Sequence, residues 1–130
     1  MNQKSALQVA VAVAGLVPVT AGLLGAFRPG LLALAGAPSA LTHVAYLSGL
    51  LLGIGLGFWS LIPQIERQGR AFGLLTAMVV LGGLARLALA VRLDAWGLSV
   101  IAPLMMELAV TPVLWAWQRR LSSSSNSGWE

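Results

Sequence analysis

Residues 41–62 have the sequence LTHVAYLSGLLLGIGLGFWSLI, which contains no Asp, Glu, Lys or Arg. An α-helix of about 20 apolar residues crosses the roughly 30 Å of hydrocarbon in a bilayer. This stretch has that length and composition, and it therefore predicts a transmembrane helix.

Three other stretches are almost as free of charge, and each is again long enough to cross a bilayer. The four predicted spans are residues 7–27, 41–62, 71–91 and 97–117. Breaks rich in Pro, Gly and charge separate them, at Arg28-Pro29-Gly30, Ala37-Pro38-Ser39, Pro63 to Arg70 and Arg92-Leu93-Asp94. Because these connections are short, neighbouring helices must run antiparallel. The predicted fold class is all-α, a polytopic membrane protein with an antiparallel four-transmembrane-helix bundle.

The composition agrees with a protein built in lipid. Of the 130 residues, 58% are hydrophobic and 9% are charged, whereas a soluble domain has about 25% charged residues. There are too few charges to solvate a globular surface, which argues against a soluble enzyme. We expect a single domain over residues 1–121 and a disordered cytoplasmic tail over residues 122–130, which is polar and low in complexity.

The first span has an alternative interpretation as a cleaved signal peptide. Lys4 precedes its apolar run, and Ala35-Gly36-Ala37 has small residues at the spacing of a cleavage site. The apolar run is longer than the roughly 7 to 15 residues of a usual signal core, which favours a transmembrane span.

The basic residues are placed as in a membrane protein. The net charge of +4 comes from side chains scattered at the ends of apolar runs, without a basic face that could follow nucleic acid. Five lie on one side of the predicted membrane: Lys4, Arg67, Arg70, Arg119 and Arg120. Arg28 and Arg92 lie on the other side, and Arg86 lies inside a span. Cytoplasmic loops are enriched in Lys and Arg, so both termini are expected in the cytoplasm.

Small residues follow one face of each of the first two spans at a spacing of four. They are Ala6, Ala10, Ala14, Pro18, Gly22 and Ala26 in the first span and Ala45, Gly49, Gly53 and Gly57 in the second. Helices in lipid associate through close packing of small residues and interhelical hydrogen bonds. The favoured interpretation is that these faces pack the protein's own helices together. The alternative is that the glycine face docks a second copy or a partner.

Arg86 and Glu107 are charged residues inside predicted spans, where each costs about 2.5 to 3.5 kcal/mol to insert. Side chains lean toward the N-terminus of their helix, so on antiparallel spans these two lean toward each other. We expect an ion pair, or a neutral Glu107 hydrogen-bonded to Arg86. His43 and Tyr46, one turn apart on the second span, should reach a similar depth. The four residues then form either a structural polar network, which is favoured, or a small cavity for a ligand, lipid headgroup or proton.

Three features carry a resemblance to a known family. They are Tyr46-Leu-Ser-Gly-Leu-Leu-Leu-Gly-Ile-Gly-Leu-Gly57, then Gly82-Gly-Leu-Ala-Arg86, and Met106-Glu107 followed by Pro112. Over about residues 46–117 the chain resembles an uncharacterised family of small four-helix bacterial inner-membrane proteins, known as a domain of unknown function. The resemblance implies the four-span topology and a multi-pass location in the inner membrane, and it implies no activity.

The sequence offers no recognisable catalytic or metal site. One His and no Cys cannot supply a catalytic triad or a usual metal-ligand set, and we expect no cofactor. We expect a non-catalytic protein that contacts membrane lipids and acts by association, as a homo-oligomer or an accessory subunit of a larger membrane complex. The alternative is a small-solute or proton transporter or binding protein that uses Arg86 and Glu107. A membrane enzyme that acts on a lipid through His43, Arg86 and Glu107 is the least favoured reading.

The five-to-two distribution of basic residues predicts that both termini are cytoplasmic. A C-terminal alkaline phosphatase fusion should be inactive, because the enzyme folds only outside the cytoplasm, and a C-terminal fluorescent protein should be bright. An active phosphatase together with a dark fluorescent fusion would contradict the predicted topology.

Overall fold

The computed structural model describes residues 2–32 and 38–126, and this part of the chain is helical without a strand. It contains α1 (Gln3–Phe27), α2 (Pro29–Leu32), α3 (Pro38–Leu61), α4 (Gly69–Leu93), α5 (Leu98–Met105) and α6 (Thr111–Asn126). A 3₁₀ turn (Ile62–Gln64) follows α3, and a π-helical turn (Met106–Val110) joins α5 to α6. The candidate cleavage sequence at residues 35–37 lies outside the described residues.

Four helical segments within the described residues are long and apolar enough to cross a membrane. They are Gln3–Phe27, Pro38–Gln64, Gly69–Leu93 and Leu98–Ser124. The predicted all-α fold class, a membrane protein with four transmembrane helices, is confirmed. The predicted spans lie within these segments except at Gly97, which is the N-cap of α5.

Helix α6 continues past the predicted end of the fourth span. It ends at Asn126, so the prediction of a disordered tail from Ser122 does not hold for residues 122–126. Serine is a weak helix former because its hydroxyl competes for backbone groups. Here the hydroxyls of Ser123 and Ser124 donate to the carbonyl oxygens of Arg119 and Arg120, four residues earlier, at 2.8 and 3.0 Å, which is compatible with the helix. Residues 127–130 lie outside the described part.

The chain divides into two compact units. One contains the first ten residues together with the chain from Pro63 onward, and the other contains residues 11–62. The boundary falls inside α1, so the units are not consecutive segments of chain. The expectation of a single domain over residues 1–121 stays a prediction.

In the unit of residues 11–62, α1 and α3 approach each other closely at glycines. A Cβ atom built at Gly55 would lie 2.7 Å from Val19 Cγ2, and one at Gly22 would lie 2.6 Å from the backbone nitrogen of Leu52. No larger side chain fits either position without a shift of the neighbouring helix. Gly22 belongs to the small-residue face predicted for the first span, and at this position that face does pack against the protein's own helix.

Trp59 provides a polar link between the same two helices. Its indole Nε1 donates a hydrogen bond to the carbonyl oxygen of Ala12 at 3.1 Å. The indole ring lies against Gly15, where a Cβ atom would overlap it. A polar bond between helices adds to packing in lipid, where apolar burial alone gives little association.

The predicted glycine face of α3 does not make the contact with α1. A Cβ atom at Gly49 or Gly53 would have no heavy atom within 4 Å, whereas Gly55 is buried against α1. Residues two apart in a helix lie about 200° apart around its axis, so Gly53 and Gly55 face opposite sides. The contact between α1 and α3 is thus made by the opposite face of α3, and the prediction that the Gly49, Gly53 and Gly57 face packs against another helix stays a prediction. Docking of a second copy or a partner by the face that includes Gly57 stays a prediction.

The turn between α4 and α5 positions the candidate site. α4 ends because Asp94 adopts the left-handed conformation, with φ 49° and ψ 44°, and its N–H bonds to the carbonyl of Ala90. A left-handed residue commonly terminates a helix, and Asp tolerates it better than most residues. Asp94 Oδ1 also accepts a hydrogen bond from Trp96 Nε1 at 2.9 Å. The reversal places α5, the π-helical turn and α6 against α4.

We predict opposite outcomes for alanine at two glycines of α3 that are two residues apart. Gly55→Ala should destabilise the protein by about 1 to 3 kcal/mol, because the new methyl group overlaps Val19. Gly53→Ala should be neutral or stabilising by up to about 1 kcal/mol, because its Cβ meets open space and alanine favours the helix. Thermal unfolding in detergent measures both, and equal losses would contradict the α1–α3 packing.

Candidate functional site

Arg86 on α4 and Glu107 in the π-helical turn form a two-point ion pair. Arg86 Nε donates to Glu107 Oε2 at 3.1 Å, and Arg86 Nη2 donates to Glu107 Oε1 at 3.1 Å. Two parallel bonds between a guanidinium and a carboxylate fix the orientation of both groups as well as their distance. The contact expected between these two residues is present.

Gly83 allows α4 to approach the turn closely enough for this pair. A Cβ atom built at Gly83 would lie 2.9 Å from the Cβ of Glu107 and 2.9 Å from Leu108 Cδ2. A larger residue would push the turn away from α4. Residues three apart lie on the same side of a helix, so Gly83 and Arg86 face the turn together.

Pro112 accounts for the widened turn that carries Glu107. The Thr111 N–H bonds to the carbonyl oxygen of Met106, five residues earlier, and the Thr111 hydroxyl donates to the same oxygen at 2.8 Å. In a regular α-helix the ring of Pro112 would clash with the carbonyl four residues before it, and the proline has no N–H to donate. The π-helical turn makes room for the ring and shifts the helical phase at Glu107.

The ion pair is only partly covered by protein. The Glu107 side chain is 18% exposed, but the Arg86 side chain is 43% exposed. A guanidinium has five N–H donors, of which two bond to Glu107. Gly82, one turn before Arg86 on the same face, has no heavy atom within 4 Å of its Cβ position. The exposed side of the pair therefore carries the guanidinium N–H donors that do not bond to Glu107, next to the uncovered backbone of Gly82.

His43 and Tyr46 lie one turn apart on α3, and both are exposed. They belong to the unit of residues 11–62, whereas Arg86 and Glu107 belong to the other unit. The polar network of all four residues stays a prediction.

Sequence analysis missed a buried polar cluster that joins the α3–α4 connection to α6. Gln118, fully buried, donates from Nε2 to the Ile65 carbonyl oxygen at 2.8 Å and to Ser122 Oγ at 3.0 Å. Ser122 Oγ donates to the Glu66 carbonyl oxygen at 2.8 Å, and the Glu66 carboxylate pairs with Lys4 at 2.5 Å. The sequence signal that could indicate this cluster is Gln118 one helical turn before Ser122, at the end of the fourth apolar run.

The Arg86–Glu107 pair has three chemical possibilities. It can fix the register of α4 against the fourth span, it can bind an acceptor through the unused guanidinium donors, or its carboxylate can take up a proton. Among the described residues, no group of three His, Cys, Asp or Glu could hold a metal ion. The Glu107 carboxylate is thus largely covered by protein, whereas the Arg86 guanidinium that pairs with it is open on one side.

The family model DUF4345, described as a domain of unknown function, matches residues 6–118. The chain therefore belongs to this family, in agreement with the resemblance seen in its second to fourth spans. No curated protein and no solved structure matches the chain. The matched range includes both members of the ion pair.

We predict that Arg86 and Glu107 are energetically coupled. Arg86→Leu leaves a carboxyl group without its partner, and Glu107→Leu leaves a guanidinium without its partner, each at a cost of about 1 to 3 kcal/mol. The double variant removes both unpaired groups.

A double-mutant cycle on unfolding in detergent should show a coupling of about 0.5 kcal/mol or more. Phe27→Leu, an exposed apolar change outside this unit, serves as a control that should be additive with Arg86→Leu. Additive effects for Arg86 and Glu107 would contradict the pair.

Proposed function

We propose that the chain acts by association inside the bacterial inner membrane, with both termini in the cytoplasm, as a homo-oligomer or as an accessory subunit of a larger membrane complex. The observation that carries this proposal is the exposure of Arg86, whose side chain is 43% accessible within a transmembrane span.

The energetic argument concerns what covers the guanidinium. Arg86 lies seven residues before the end of α4 at Leu93, which is about 10 Å along the helix axis. A charged side chain costs about 2.5 to 3.5 kcal/mol at the centre of a span and less toward its end, so this is the upper limit for Arg86. Pairing with Glu107 offsets part of this cost, but the exposed edge would face hydrocarbon if lipid alone surrounded the chain. A second protein surface with hydrogen-bond acceptors would offset the remainder.

The surroundings of Arg86 support a helix contact rather than lipid contact. Gly82 and Arg86 share one face of α4, and the Gly82 position is open. Close helix contacts in membranes combine small residues, which let backbones approach, with polar side chains that bond across the interface. Gly49 and Gly53 on α3 offer a second open small-residue surface.

A small-solute or proton-binding protein is the second candidate. Its supporting observation is the position of Glu107 in a π-helical turn, a feature that is frequent at functional sites. On the same helix as Arg86, the buried hydroxyl of Thr76 has no hydrogen-bond partner among the described residues. A single chain that retains a small ligand through gentle purification would favour this candidate over association.

We predict that the chain, extracted from its own membrane in a mild detergent, has a native mass above the 13.5 kDa of one chain. The mass should be a multiple of that value or include other proteins at fixed stoichiometry. Gly82→Leu should release single chains, because the added side chain blocks the face beside Arg86. It should leave the unfolding temperature of the single chain unchanged, because its Cβ position is open.

Ala88→Leu is the matched control for this experiment. Ala88 is also exposed on α4, but it lies about 120° around the helix from Gly82. The control should keep the assembly intact. A wild-type chain that is single in native mass spectrometry, or an assembly that survives Gly82→Leu, would overturn the proposal.

A further inference from the structure

An open depression of about 580 Å³ lies on the unit that contains the Arg86–Glu107 pair, at the end where α4 begins and the apolar part of α6 ends. Arg67, Arg70 and Arg119 line it, together with Trp115 and Gln118. We refer to it as the arginine pocket. It shares no residue with the Arg86–Glu107 pair.

The charge of the arginine pocket is not balanced within the described chain. Its three arginines form no ion pair with a described carboxylate. The acidic residue that lines the pocket, Glu66, is paired with Lys4. Arg119 lies over the ring of Trp115, with 5.0 Å from its guanidinium carbon to the ring centroid, which positions this charge without an anionic partner. Positive groups that converge in a cavity attract anions.

The first turn of α4 lies at the same wall, since Gly69, Arg70 and Gly73 line the pocket. Side chains at the two glycines would narrow it: a Cβ atom at Gly73 would lie 3.1 Å from Trp115 Nε1, and one at Gly69 would lie 3.3 Å from Gln118 Nε2. The N-terminus of a helix carries partial positive charge, which adds to the attraction of the arginines for an anion.

Gln118 lines the pocket between the two segments that carry the arginines. Its Nε2 donates hydrogen bonds to the Ile65 carbonyl oxygen and to Ser122 Oγ. The side chain is fully buried, so these bonds hold α6 against the α3–α4 connection, which carries Arg67, and thereby fix the wall of the pocket.

The position of the pocket favours a membrane lipid as the source of that anion. The transmembrane part of α4 starts at Gly69, and Arg119 follows Trp115 and Trp117 at the end of the apolar run of α6. Tryptophan favours the level of the headgroups, and basic pockets between transmembrane helices at that level bind anionic headgroups. We propose that the arginine pocket binds the phosphate headgroup of an anionic phospholipid.

The test is native mass spectrometry of the full chain in a mild detergent, titrated with phosphatidylglycerol. One lipid should be retained per chain. Arg70→Gln and Arg119→Gln should each weaken its binding about tenfold, as expected for the loss of one charge-assisted hydrogen bond. Arg120→Gln removes the same charge from the next residue, which is exposed and does not line the pocket, and it should leave binding unchanged.

Two further ligands distinguish an anionic lipid from a phospholipid of any charge and from a soluble phosphate ester. Phosphatidylcholine with the same acyl chains should bind at least tenfold more weakly, and soluble glycerol phosphate should not displace the lipid at equal concentration. Displacement by glycerol phosphate would assign the pocket to a soluble phosphate ester and overturn the lipid assignment. Equal binding of phosphatidylcholine, or equal weakening by Arg120→Gln and Arg119→Gln, would overturn the site itself.

Folding controls accompany the variants. The unfolding temperatures of Arg70→Gln and Arg119→Gln without added lipid should match the wild type. If Arg119→Gln loses folded yield because Trp115 loses its neighbour, Arg70→Gln alone decides the test, since Arg70 forms no ion pair with a described residue.

Discussion

The distance between α4 and the π-helical turn at Gly83 is the constraint on which the charged pair depends. A single methyl group at residue 83 would lie 2.9 Å from the Glu107 Cβ, so the helices could not stay this close with any other residue. The two-point geometry at 3.1 Å forms at this separation, and a larger residue at position 83 would shift Glu107 relative to Arg86. Pro112 contributes from the fourth span, because it favours the widened turn that sets the direction of Glu107 around the helix axis. Glycine, proline and the ion pair thus form one interdependent arrangement.

Glycines in the spans fall into two groups that differ in what surrounds them. Gly22, Gly55 and Gly83 have close neighbours, whereas Gly49, Gly53 and Gly82 have open Cβ positions. A glycine inside a helix costs about 0.5 to 1 kcal/mol relative to alanine. At the close positions the contact with the neighbouring helix offsets that cost. At the open positions nothing within the described chain does, and a contact with another protein surface would supply the missing compensation.

Hydropathy and length were sufficient to predict the spans, because a bilayer imposes both on any helix that crosses it. The Arg86–Glu107 contact was also predictable, because side-chain lean and antiparallel topology follow from helix geometry alone. The sequence could not tell which glycines face inward. Gly53 and Gly55 both belong to regular small-residue patterns, and only the packing of α1 decides between two opposite faces of one helix.

The polar features that sequence analysis missed depend on contacts between residues distant in the chain. Gln118 bonds to a carbonyl 53 residues earlier, and no local pattern indicates such a partner. The serines after it are helical despite their low helix propensity, because propensity describes isolated helices, whereas the Ser123 and Ser124 hydroxyls bond along α6. The arginine pocket also required the structure, because its arginines come from two segments that are about 50 residues apart in sequence and that converge only when α6 packs against α4.

The distribution of charge connects the ion pair with the membrane surface. Each acidic side chain of the described part has a partner in the same unit: Glu66 bonds to Lys4, Asp94 to Trp96 and Glu107 to Arg86. The chain has eight basic residues against four acidic ones, so at least half of the basic residues have no carboxylate of their own within the molecule. At the ends of spans the phosphate groups of lipids can balance them. Deeper in a span no such anion is available, which explains why Arg86 lies beside a carboxylate held by a close helix contact.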